Sequence, residues 1–472
     1  MLTFGFVLNA LAGQEGLFSD QVLTDAAIDS RRVIPGSMFV ALQGESVDGH
    51  DFVADAFQRG AMVALVERVP EEGMSVLRLD QPLTQEMLQN ITFPVCLQVG
   101  NVLEALQMVA RRWREERGDL RVIGITGSVG KSTTKEMVAE VLDQRYRTIK
   151  NPGNFNNEIG LPLSLLRLTE MHERAVLEMG FYVPGEIELL CSIARPQVGV
   201  VTNISEVHLE RAGTMDAIIA GKGELVQSLP EDGTAILNYD DERVRSMAST
   251  TRARVFMYGL SPEADLWASD IESLGLEGIR FILHHGGDRV YIRVPLLGRH
   301  SVHTALRAAA VGLVEGLTWD EIIRGLQSTH AQLRLVAVSG PQHSLILDDT
   351  YNAAPPSVIA ALNLLAELDG RRIAVLGDMY ELGAFEERGH RMVGARAAEV
   401  VDQLVTVGPL AHWIADEARR AGLAERFITA YESNDEAIKE LKESVSKDDI
   451  VLIKGSRGMH MEDIVSALEE LE

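Results

Sequence analysis

The stretch RVIGITGSVGKSTTKEMVAEVL, residues 121–142, decides the fold. An apolar, strand-like run ends in a short glycine-containing turn, and a segment with apolar residues on one helical face follows. Backbone N–H groups at such a turn attract anions, and the dipole of the following helix reinforces them. Lys131 can neutralise β- and γ-phosphates, and the Ser132 hydroxyl can reach Mg²⁺. The predicted ATP site therefore includes Gly127, Ser128, Val129, Gly130, Lys131, Ser132 and Thr133.

The glycines depart from the usual G-x-x-x-x-G-K-[ST] spacing of a phosphate loop. Ile125 stands where the first glycine would fall, and the nearest glycines are Gly124 and Gly127. A glycine turn beside an exposed lysine is the alternative for this motif taken alone. The strand–turn–helix context favours nucleotide binding.

The rest of the chain predicts an α/β protein of three domains. Residues 1–100 mix short strands with turn signals, and we expect them to form a small α/β domain. Over residues 101–330, apolar runs alternate with amphipathic helices, which predicts a central ATP-binding domain with a mainly parallel sheet. Residues 331–472 repeat this rhythm as a C-terminal domain. Ligands of such sheets bind beyond the carboxyl ends of the strands.

Composition excludes several classes of protein. The 472 residues carry a net charge of −25, which argues against a general nucleic-acid or anionic-membrane surface. Cys96 and Cys191 show neither zinc spacing nor a disulfide framework. The N-terminus has no Lys or Arg before Arg31, and no apolar run approaches the ~20 residues of a membrane span. We therefore expect a cytoplasmic protein without membrane insertion.

Three further residues near strand ends are candidates for chemistry. Glu178 interrupts the apolar run AVLEMG, and a buried carboxylate is costly unless it is paired or bound to a metal. His208 follows the run VGVVTN, although a lone histidine is more often structural. Lys222 lies between two glycines at an expected helix start. An exposed lysine is the commoner interpretation there, but a lysine of lowered pKa can react with CO₂ to give an anionic carbamate.

The stretch NPGNFNNEIGLP, residues 151–162, concentrates four asparagines in one loop. Pro152 and Gly153 suffice to turn the chain. Asn154, Asn156 and Asn157 then offer amides at the front of the next helix. Turn formation and substrate contact both remain open for these residues.

The chain resembles the Mur ligase family, ATP-dependent amide-forming enzymes of peptidoglycan assembly and cell-wall biogenesis. The order of segments carries the resemblance: DSRRVIPGSMFVALQGESVDGHDF, TGSVGKST, GNFNNEIGLPLSLL, LEMG, TNISEVHLE, GKGEL, GRHSVHTALRAAAV, DDTYNAAPPS, VLGDMYELG and VLIKGSRGMHME. It implies an N-terminal domain for a UDP-linked precursor, a central ATPase and a Rossmann-like C-terminal domain. Within the family, GNFNNEIGLPLSLL, DDTYNAAPPS, GDMYELG and KGSRGMHMEDIV favour the member that joins D-alanyl-D-alanine to UDP-N-acetylmuramoyl-tripeptide.

The resemblance also implies a mechanism and a set of catalytic residues. The tripeptide carboxylate attacks the γ-phosphate of ATP, and the dipeptide amine then attacks the resulting acyl phosphate. Ser132 and Glu178 match ligands of one Mg²⁺, and His208 and carbamylated Lys222 match ligands of a second. The catalytic set implied is Lys131, Glu178, His208, Lys222 and Arg334. Arg334 would reach the γ-phosphate, and His300 and Asp349 would contact ATP.

Substrate-binding positions follow from the same resemblance. Around the uridine diphosphate these are Ser30, Arg31, Gly44, Asp48 and His50, for which ordinary turn chemistry is the alternative. The other implied substrate positions are Asn154, Asn156, Asn157, Tyr351 and Asn352. The family usually has asparagine where Ser301, Thr304 and Ala354 stand here. If Ser301 and Thr304 face adenine, base recognition is expected to be looser or to be carried by a neighbour such as His303.

Three other functions stay open at this level. They are the preceding Mur ligase, which adds the third peptide residue, a folate polyglutamylating ligase, and a nucleotide-dependent regulatory protein. Retention of Glu178, His208, Lys222 and Arg334 together argues against the regulatory protein, because simple ATP binding needs no second metal. We expect a monomer. Whether the third residue of the tripeptide is diaminopimelate or lysine is not encoded in any motif.

Overall fold

The computed structural model describes residues 1–13, 20–44, 47–69, 73–207, 209–328 and 335–469. These residues form three β-sheets of five, nine and six strands. The expected three-domain α/β fold is confirmed by this arrangement. The boundaries near residues 100 and 330 stay predictions. His208 and Arg334 lie outside the described residues.

The first sheet contains only parallel strand pairs. Its region comprises α1 Phe4–Ala12, β1 Ala26–Ala27, β2 Met38–Val40, α2 Val53–Gln58, β3 Val63–Val66, β4 Ser75–Arg78, α3 Gln85–Gln89, β5 Val95–Gln98 and α4 Val102–Glu115. The strand order is β1-β2-β3-β5-β4. Every residue of β2 and β3 is buried, which explains their continuous apolar sequence. The sheet therefore has a covered core of its own.

The second sheet begins with the strand that precedes the glycine turn. Its region comprises β6 Arg121–Thr126, α5 Lys131–Leu142, β7 Thr148–Lys150, α6 Gly160–Leu166, β8 Arg174–Glu178, α7 Glu186–Ala194, β9 Val198–Val201, α8 Leu209–Ala212, α9 Met215–Gln227, β10 Thr234–Asn238, α10 Glu242–Ser246, β11 Arg254–Gly259, β12 Leu266–Ser273, β13 Ile279–His285, β14 Asp288–Val294, α11 Val302–Val314 and α12 Trp319–Leu326. The strand order is β14-β13-β12-β11-β10-β9-β6-β8-β7.

Strand direction divides this sheet into two parts. The pairs from β9 to β12 are parallel, as is the pair of β7 with β8. The pairs β12–β13 and β13–β14 are antiparallel hairpin pairs. The βαβ rhythm in the sequence predicts the parallel part, and the antiparallel extension follows where that rhythm stops.

The position of Lys222 differs from the expectation. It lies in the middle of the 13-residue helix α9, which begins after the capping residue Thr214, so the expected helix start at the glycines was wrong. Gly221 has a packing role instead. A Cβ there would lie 2.0 Å from the Phe181 ring, so only glycine allows the helix to approach this ring.

The third sheet has helices on both faces. Its region comprises β15 Val336–Ser339, β16 Leu345–Asp348, α13 Pro355–Ala366, β17 Arg371–Gly377, α14 Glu386–Val400, β18 Gln403–Val407, α15 His412–Arg420, β19 Ile428–Tyr431, α16 Asn434–Ser444, β20 Asp449–Lys454 and α17 Glu462–Leu468. The strand order is β15-β16-β20-β17-β18-β19, parallel except at β15. One core packs α13, α14 and α15 against the sheet, and a second packs α16 and α17. This is a Rossmann-like doubly wound layer.

Short 3₁₀ helices complete the described structure. They span Ser30–Arg32, Gly49–Phe52, Met247–Thr250, Gly275–Glu277, Arg299–Ser301, Pro341–His343, Gly383–Phe385, Glu425–Phe427 and Arg457–Met459. Within the described ranges, no helix has the length and apolar character needed to cross a bilayer.

Candidate active site

The phosphate loop, residues 127–130, connects β6 to α5 and depends on two glycines. Gly127 has φ +140°, and a Cβ there would lie 1.9 Å from the Thr202 hydroxyl oxygen. Gly130 adopts the left-handed conformation with φ +83° directly before the first residue of α5. Ile125 is a buried strand residue. The close approach to Thr202 thus explains why the loop needs its first glycine at position 127.

Polar residues that follow β9 hold this loop in place. The amide side chain of Asn203 accepts a hydrogen bond from Val129 N–H at 3.0 Å and donates one to Val129 O at 2.9 Å. Thr202 donates to the same carbonyl at 2.8 Å. The Ser128 hydroxyl donates to Ser205 O at 3.1 Å. Sequence reasoning missed this role of Thr202, Asn203 and Ser205; the signal for it is the short polar run directly after an apolar strand.

Lys131 places a positive charge on the phosphate loop. As the first residue of α5, it donates from Nζ to Gly127 O at 2.9 Å and to Ser128 O at 3.2 Å. Ser132 and Thr133 follow in the first helical turn and are partly exposed. The helix N-terminus, the loop amides and the ammonium group therefore present the combination expected for binding phosphate.

Lys222 is fully buried against the same loop. Its Nζ donates to Gly127 O at 3.2 Å and lies 4.5 Å from the centroid of the Phe181 ring. No ion-pair partner for it is found among the described residues. Burial and the nearby charge of Lys131 hold the pKa of Lys222 well below its usual value. The interpretation as an exposed lysine was wrong, and a neutral amine is the form that reacts with CO₂.

Glu178 is the last residue of β8, and the asparagine loop, residues 151–160, holds it by hydrogen bonds. It is 2% exposed, and its Oε1 accepts a hydrogen bond from Asn156 Nδ2 at 2.9 Å. Asn151 is completely buried, accepts from Glu178 N–H at 2.9 Å and donates to Glu178 O at 3.0 Å. It also donates to Phe155 O at 2.7 Å. The loop thus fixes both the backbone and the carboxylate of Glu178.

The remaining asparagines of the loop have different roles. Asn157 Oδ1 accepts from Gly160 N–H at 2.9 Å, at the start of α6. Gly160 is required here, because a Cβ would lie 2.4 Å from Phe155 Cα. Asn154 has an exposed side chain. Asn156 and Asn157 both make hydrogen bonds inside the protein. Contact of Asn154, Asn156 and Asn157 with a substrate stays a prediction.

A second group of candidates follows β16 in the C-terminal sheet. Asp349 pairs with the buried Lys454 at 2.6 Å, and Lys454 also donates to Asn352 O at 2.8 Å. The Tyr351 ring lies 5.0 Å from the guanidinium carbon of Arg457. The structure therefore brings Asp349, Tyr351 and Asn352 together at the carboxyl ends of β16 and β20.

The GRHS segment places its polar groups around the start of α11. His300 is exposed in the 3₁₀ helix Arg299–Ser301. The Ser301 hydroxyl donates to Leu297 O at 2.6 Å. Thr304, the other departure from the family pattern, accepts a hydrogen bond from Arg307 at 3.2 Å. Both hydroxyl groups thus bond within the protein.

Asp48 and His50 bind each other in the N-terminal region. The Asp48 carboxylate accepts from the His50 backbone at 2.9 Å, lies 2.6 Å from His50 Nδ1 and pairs with Arg68 at 2.9 Å. These hydrogen bonds hold the pKa of Asp48 well below its usual value. His50 Nε2 accepts from Glu67 N–H at 2.9 Å. Both ring nitrogens are thus engaged inside the protein, which favours a structural role for His50.

The other N-terminal candidates lie in turns. Ser30 is buried at the start of the 3₁₀ helix Ser30–Arg32, whereas Arg31 is exposed and pairs with Asp29 at 2.8 Å. Gly44 donates to Val47 O at 2.9 Å. Binding of a uridine diphosphate by these residues stays a prediction.

The donors proposed for Mg²⁺ are of varied chemical type. Within the described parts of the chain, no cluster of three or more His, Cys, Asp and Glu side chains is arranged to hold a metal. A hydroxyl group from Ser132, a carboxylate from Glu178 and a carbamate on Lys222 are all oxygen donors, which Mg²⁺ prefers. The amine of Lys222 is buried and has no carboxylate partner in the described part of the chain, which fits conversion into such a carbamate.

Fold and site together define a three-domain α/β protein with a phosphate-binding loop. Family models match along the chain: "Mur ligase family, catalytic domain" over residues 24–114, "Mur ligase middle domain" over 125–312 and "Mur ligase, glutamate ligase domain" over 333–457. The chain belongs to the Mur ligase family.

Three relatives show how far the similarity extends. The UDP-N-acetylmuramoyl-tripeptide–D-alanyl-D-alanine ligase of Bacillus subtilis is 36% identical over 460 residues, 96% of this chain and 94% of that protein. A crystal structure of MurF from Acinetobacter baumannii has a TM-score of 0.83 and 30% identity, covering 98% of both chains. MurF ligase from Thermotoga maritima in complex with ADP has a TM-score of 0.77 and 27% identity, covering 95% of this chain and 98% of that one.

Proposed function

We propose that this protein is an ATP-dependent ligase that joins D-alanyl-D-alanine to UDP-N-acetylmuramoyl-tripeptide, giving the pentapeptide precursor, ADP and phosphate. The observation that carries the proposal is the phosphate loop, on whose carbonyls Lys131 lies, together with the buried Lys222, which donates to Gly127 O and has no ion-pair partner among the described residues. The names of nearly full-length relatives support the same substrates. They do not support the preceding ligase of the pathway or a folate ligase as the activity.

Each side chain of the proposed site has a role in the reaction. The tripeptide carboxylate and ATP are both anionic, so the positive charge of Lys131 and the loop amides must lower their repulsion. Mg²⁺, when bound, adds charge neutralisation and orients the phosphate groups. Ser132, Glu178, His208 and carbamylated Lys222 are the proposed oxygen and nitrogen ligands for two such ions. We assign Arg334 to the γ-phosphate.

The amide bond would form in two steps. A carboxylate oxygen of the tripeptide attacks the γ-phosphorus, and ADP leaves with the electron pair of the cleaved P–O bond. The dipeptide amine then attacks the acyl carbon, and phosphate leaves as the amine proton is lost. Exclusion of water protects the acyl phosphate between the two steps.

An omission assay tests this proposal. Phosphate release from ATP is measured with UDP-N-acetylmuramoyl-tripeptide and D-alanyl-D-alanine together, and then with each left out in turn. We expect sustained release only with both substrates. Release that is indifferent to the dipeptide would exclude the proposed activity, and acceptance of a free amino acid in place of the dipeptide would favour the preceding ligase.

A further inference from the structure

Arg307, in helix α11, is a buried arginine with an unused hydrogen-bonding group. The residue is 4% exposed. Its Nε donates to His303 O at 2.8 Å, and its Nη2 donates to the Thr304 hydroxyl at 3.2 Å. Among the described residues Nη1 has no hydrogen-bond partner, and no carboxylate pairs with the guanidinium group. A buried cation in this state is unfavourable unless something else compensates its charge.

Arg114 shows how the same chain satisfies a structural arginine at the same burial. It is also 4% exposed, but all three of its nitrogens donate to backbone carbonyls. The acceptors are Ala194 O at 3.0 Å, Arg117 O at 2.9 Å and Leu120 O at 2.9 Å. Arg307 lacks this complete set of acceptors. Its unused nitrogen therefore indicates a function beyond packing.

The unused nitrogen faces the phosphate loop. A Cβ built on Gly130 would lie 3.3 Å from Arg307 Nη1 and 3.6 Å from Nη2. Gly130 immediately precedes α5, a 12-residue helix whose N-terminus attracts anions. Backbone amides of such a loop hold α- and β-phosphates, whereas its lysine reaches the β- and γ-phosphates. The guanidinium group is thus placed beside the part of the loop that serves the phosphates retained in ADP.

We propose that Arg307 is a phosphate-binding residue of the nucleotide site, with Nη1 donating to an α- or β-phosphate oxygen beside Gly130. This inference rests on the ATP-dependent function proposed above. Thr304 is its positioning residue, because the threonine hydroxyl accepts from Nη2 and fixes the plane of the guanidinium group. A bound phosphate would supply both the missing acceptor and the missing negative charge.

The GRHSVHTALR sequence, residues 298–307, contains both Arg307 and its positioning residue Thr304. Thr304 stands where the family usually has asparagine, and its hydroxyl is directed to Arg307 instead of remaining available for a base. An arginine four residues after His303 lies on the same face of the helix. The His303 carbonyl accepts from Arg307 Nε at 2.8 Å and so helps to hold the guanidinium group in place.

The test compares ADP with adenosine, which lacks phosphate, in the full-length protein. Calorimetry or competition with a fluorescent nucleotide gives both affinities for the wild type, Arg307→Met, Arg307→Lys and Thr304→Val. Loss of a charge-assisted hydrogen bond should weaken ADP binding about 10- to 100-fold in Arg307→Met. Adenosine affinity should stay within about twofold. Arg307→Lys should lose less, because it keeps the charge.

The matched control is Arg324→Met, which removes an exposed arginine from α12 and should alter neither affinity. Unchanged ADP affinity in Arg307→Met would overturn the proposal, and so would equal losses for ADP and adenosine. Should Arg307→Met fail to fold in a thermal melt, Thr304→Val and Arg307→Lys are read by the same criteria. Failure of the proposed ligase function would appear separately, as wild-type protein without dipeptide-dependent turnover.

Discussion

The phosphate loop and the asparagine loop are held by the same device but expose different chemistry. In each, one asparagine side chain pairs with both backbone groups of a single residue: Asn203 with Val129, and Asn151 with Glu178. In the phosphate loop the held backbone, that of Val129, belongs to the element that we propose binds the anion. In the asparagine loop the held residue supplies a side chain, the Glu178 carboxylate.

The difference shows which parts of each loop tolerate change. The phosphate loop would bind its ligand through backbone amides, and the neighbouring residues Thr202 and Asn203 hold those amides in place. The asparagine loop holds the backbone of Glu178 through Asn151 and its carboxylate, a proposed metal ligand, through Asn156. Asn151 is fully buried, whereas Asn203 is half-buried. We therefore expect the loss of Asn151 to reduce stability more, and the loss of Asn203 to act mainly on nucleotide binding.

Replacing the lysine beneath the phosphate loop should have the largest effect. Lys222→Ala removes the proposed carbamate, and turnover should fall about 1000-fold, because a metal-ion charge clamp contributes several kcal/mol. Thermal stability should not fall by a comparable amount, since no carboxylate loses a partner. Turnover with added short carboxylates should recover in part. The exposed Lys447→Ala is the control, and full activity in Lys222→Ala would remove Lys222 from the metal site.

Removing the hydrogen bonds of the buried Asn151 side chain should have the next largest effect. Asn151→Ala leaves Phe155 O, Glu178 O and Glu178 N–H without their side-chain partner, and it should lower the free energy of unfolding by about 3 kcal/mol. Urea denaturation measures this change. Asn154→Ala, an exposed asparagine of the same loop, should change it by less than about 0.5 kcal/mol. Equal changes in the free energy of unfolding of the two variants would refute a stabilising role for the Asn151 hydrogen bonds.

Removing only the hydrogen bond to the Glu178 carboxylate distinguishes an effect on the position of that carboxylate from an effect on protein stability. Asn156→Ala removes the hydrogen bond to Glu178 Oε1, and kcat/KM should fall about 30-fold, the range for partners that orient metal ligands. Raising the Mg²⁺ concentration should restore part of this loss. Steady-state kinetics over a Mg²⁺ titration is the measurement, and a loss independent of Mg²⁺ would contradict a metal-binding role for Glu178.

Removing the Asn203 side chain, which holds the phosphate loop, should give the smallest of the four effects. Asn203→Ala frees Val129 N–H and leaves Val129 O with the Thr202 hydroxyl alone, and the KM for ATP should rise about 10-fold, since two ordinary hydrogen bonds are lost. Asn203→Asp keeps the acceptor for Val129 N–H but loses the donor, so it should fall between wild type and Asn203→Ala. A rise in the KM for the dipeptide instead of ATP would contradict this assignment.

The strand–turn–helix arrangement around residues 127–130 could be predicted from the sequence, because glycine, lysine and helix signals are local. Sequence reasoning placed the three α/β regions for the same reason, since each strand and helix carries its own periodicity. Lys222 shows the limit. Glycines on both sides suggested a helix start, yet Gly221 is needed for contact with Phe181, a residue forty positions earlier in the sequence. Only tertiary packing reveals that requirement, and the same packing buries the lysine.

The hydrogen-bond partners of individual side chains could not be predicted from the sequence either. Four asparagines in one loop indicated a special role, but Asn151, Asn156 and Asn157 bond to three different targets that the pattern does not distinguish. The unused Nη1 of Arg307 was not expected at all, because ALRAAAV looks like an ordinary helix in sequence.

Isotope transfer tests the central claim, ligation through an acyl phosphate, most directly. The tripeptide is labelled with ¹⁸O in its reacting carboxylate and incubated with ATP and D-alanyl-D-alanine. Mass spectrometry of the released products should find one ¹⁸O in inorganic phosphate and one in the new amide carbonyl. Label in AMP, or phosphate free of label while pentapeptide forms, would contradict phosphorylation of the carboxylate and with it this account.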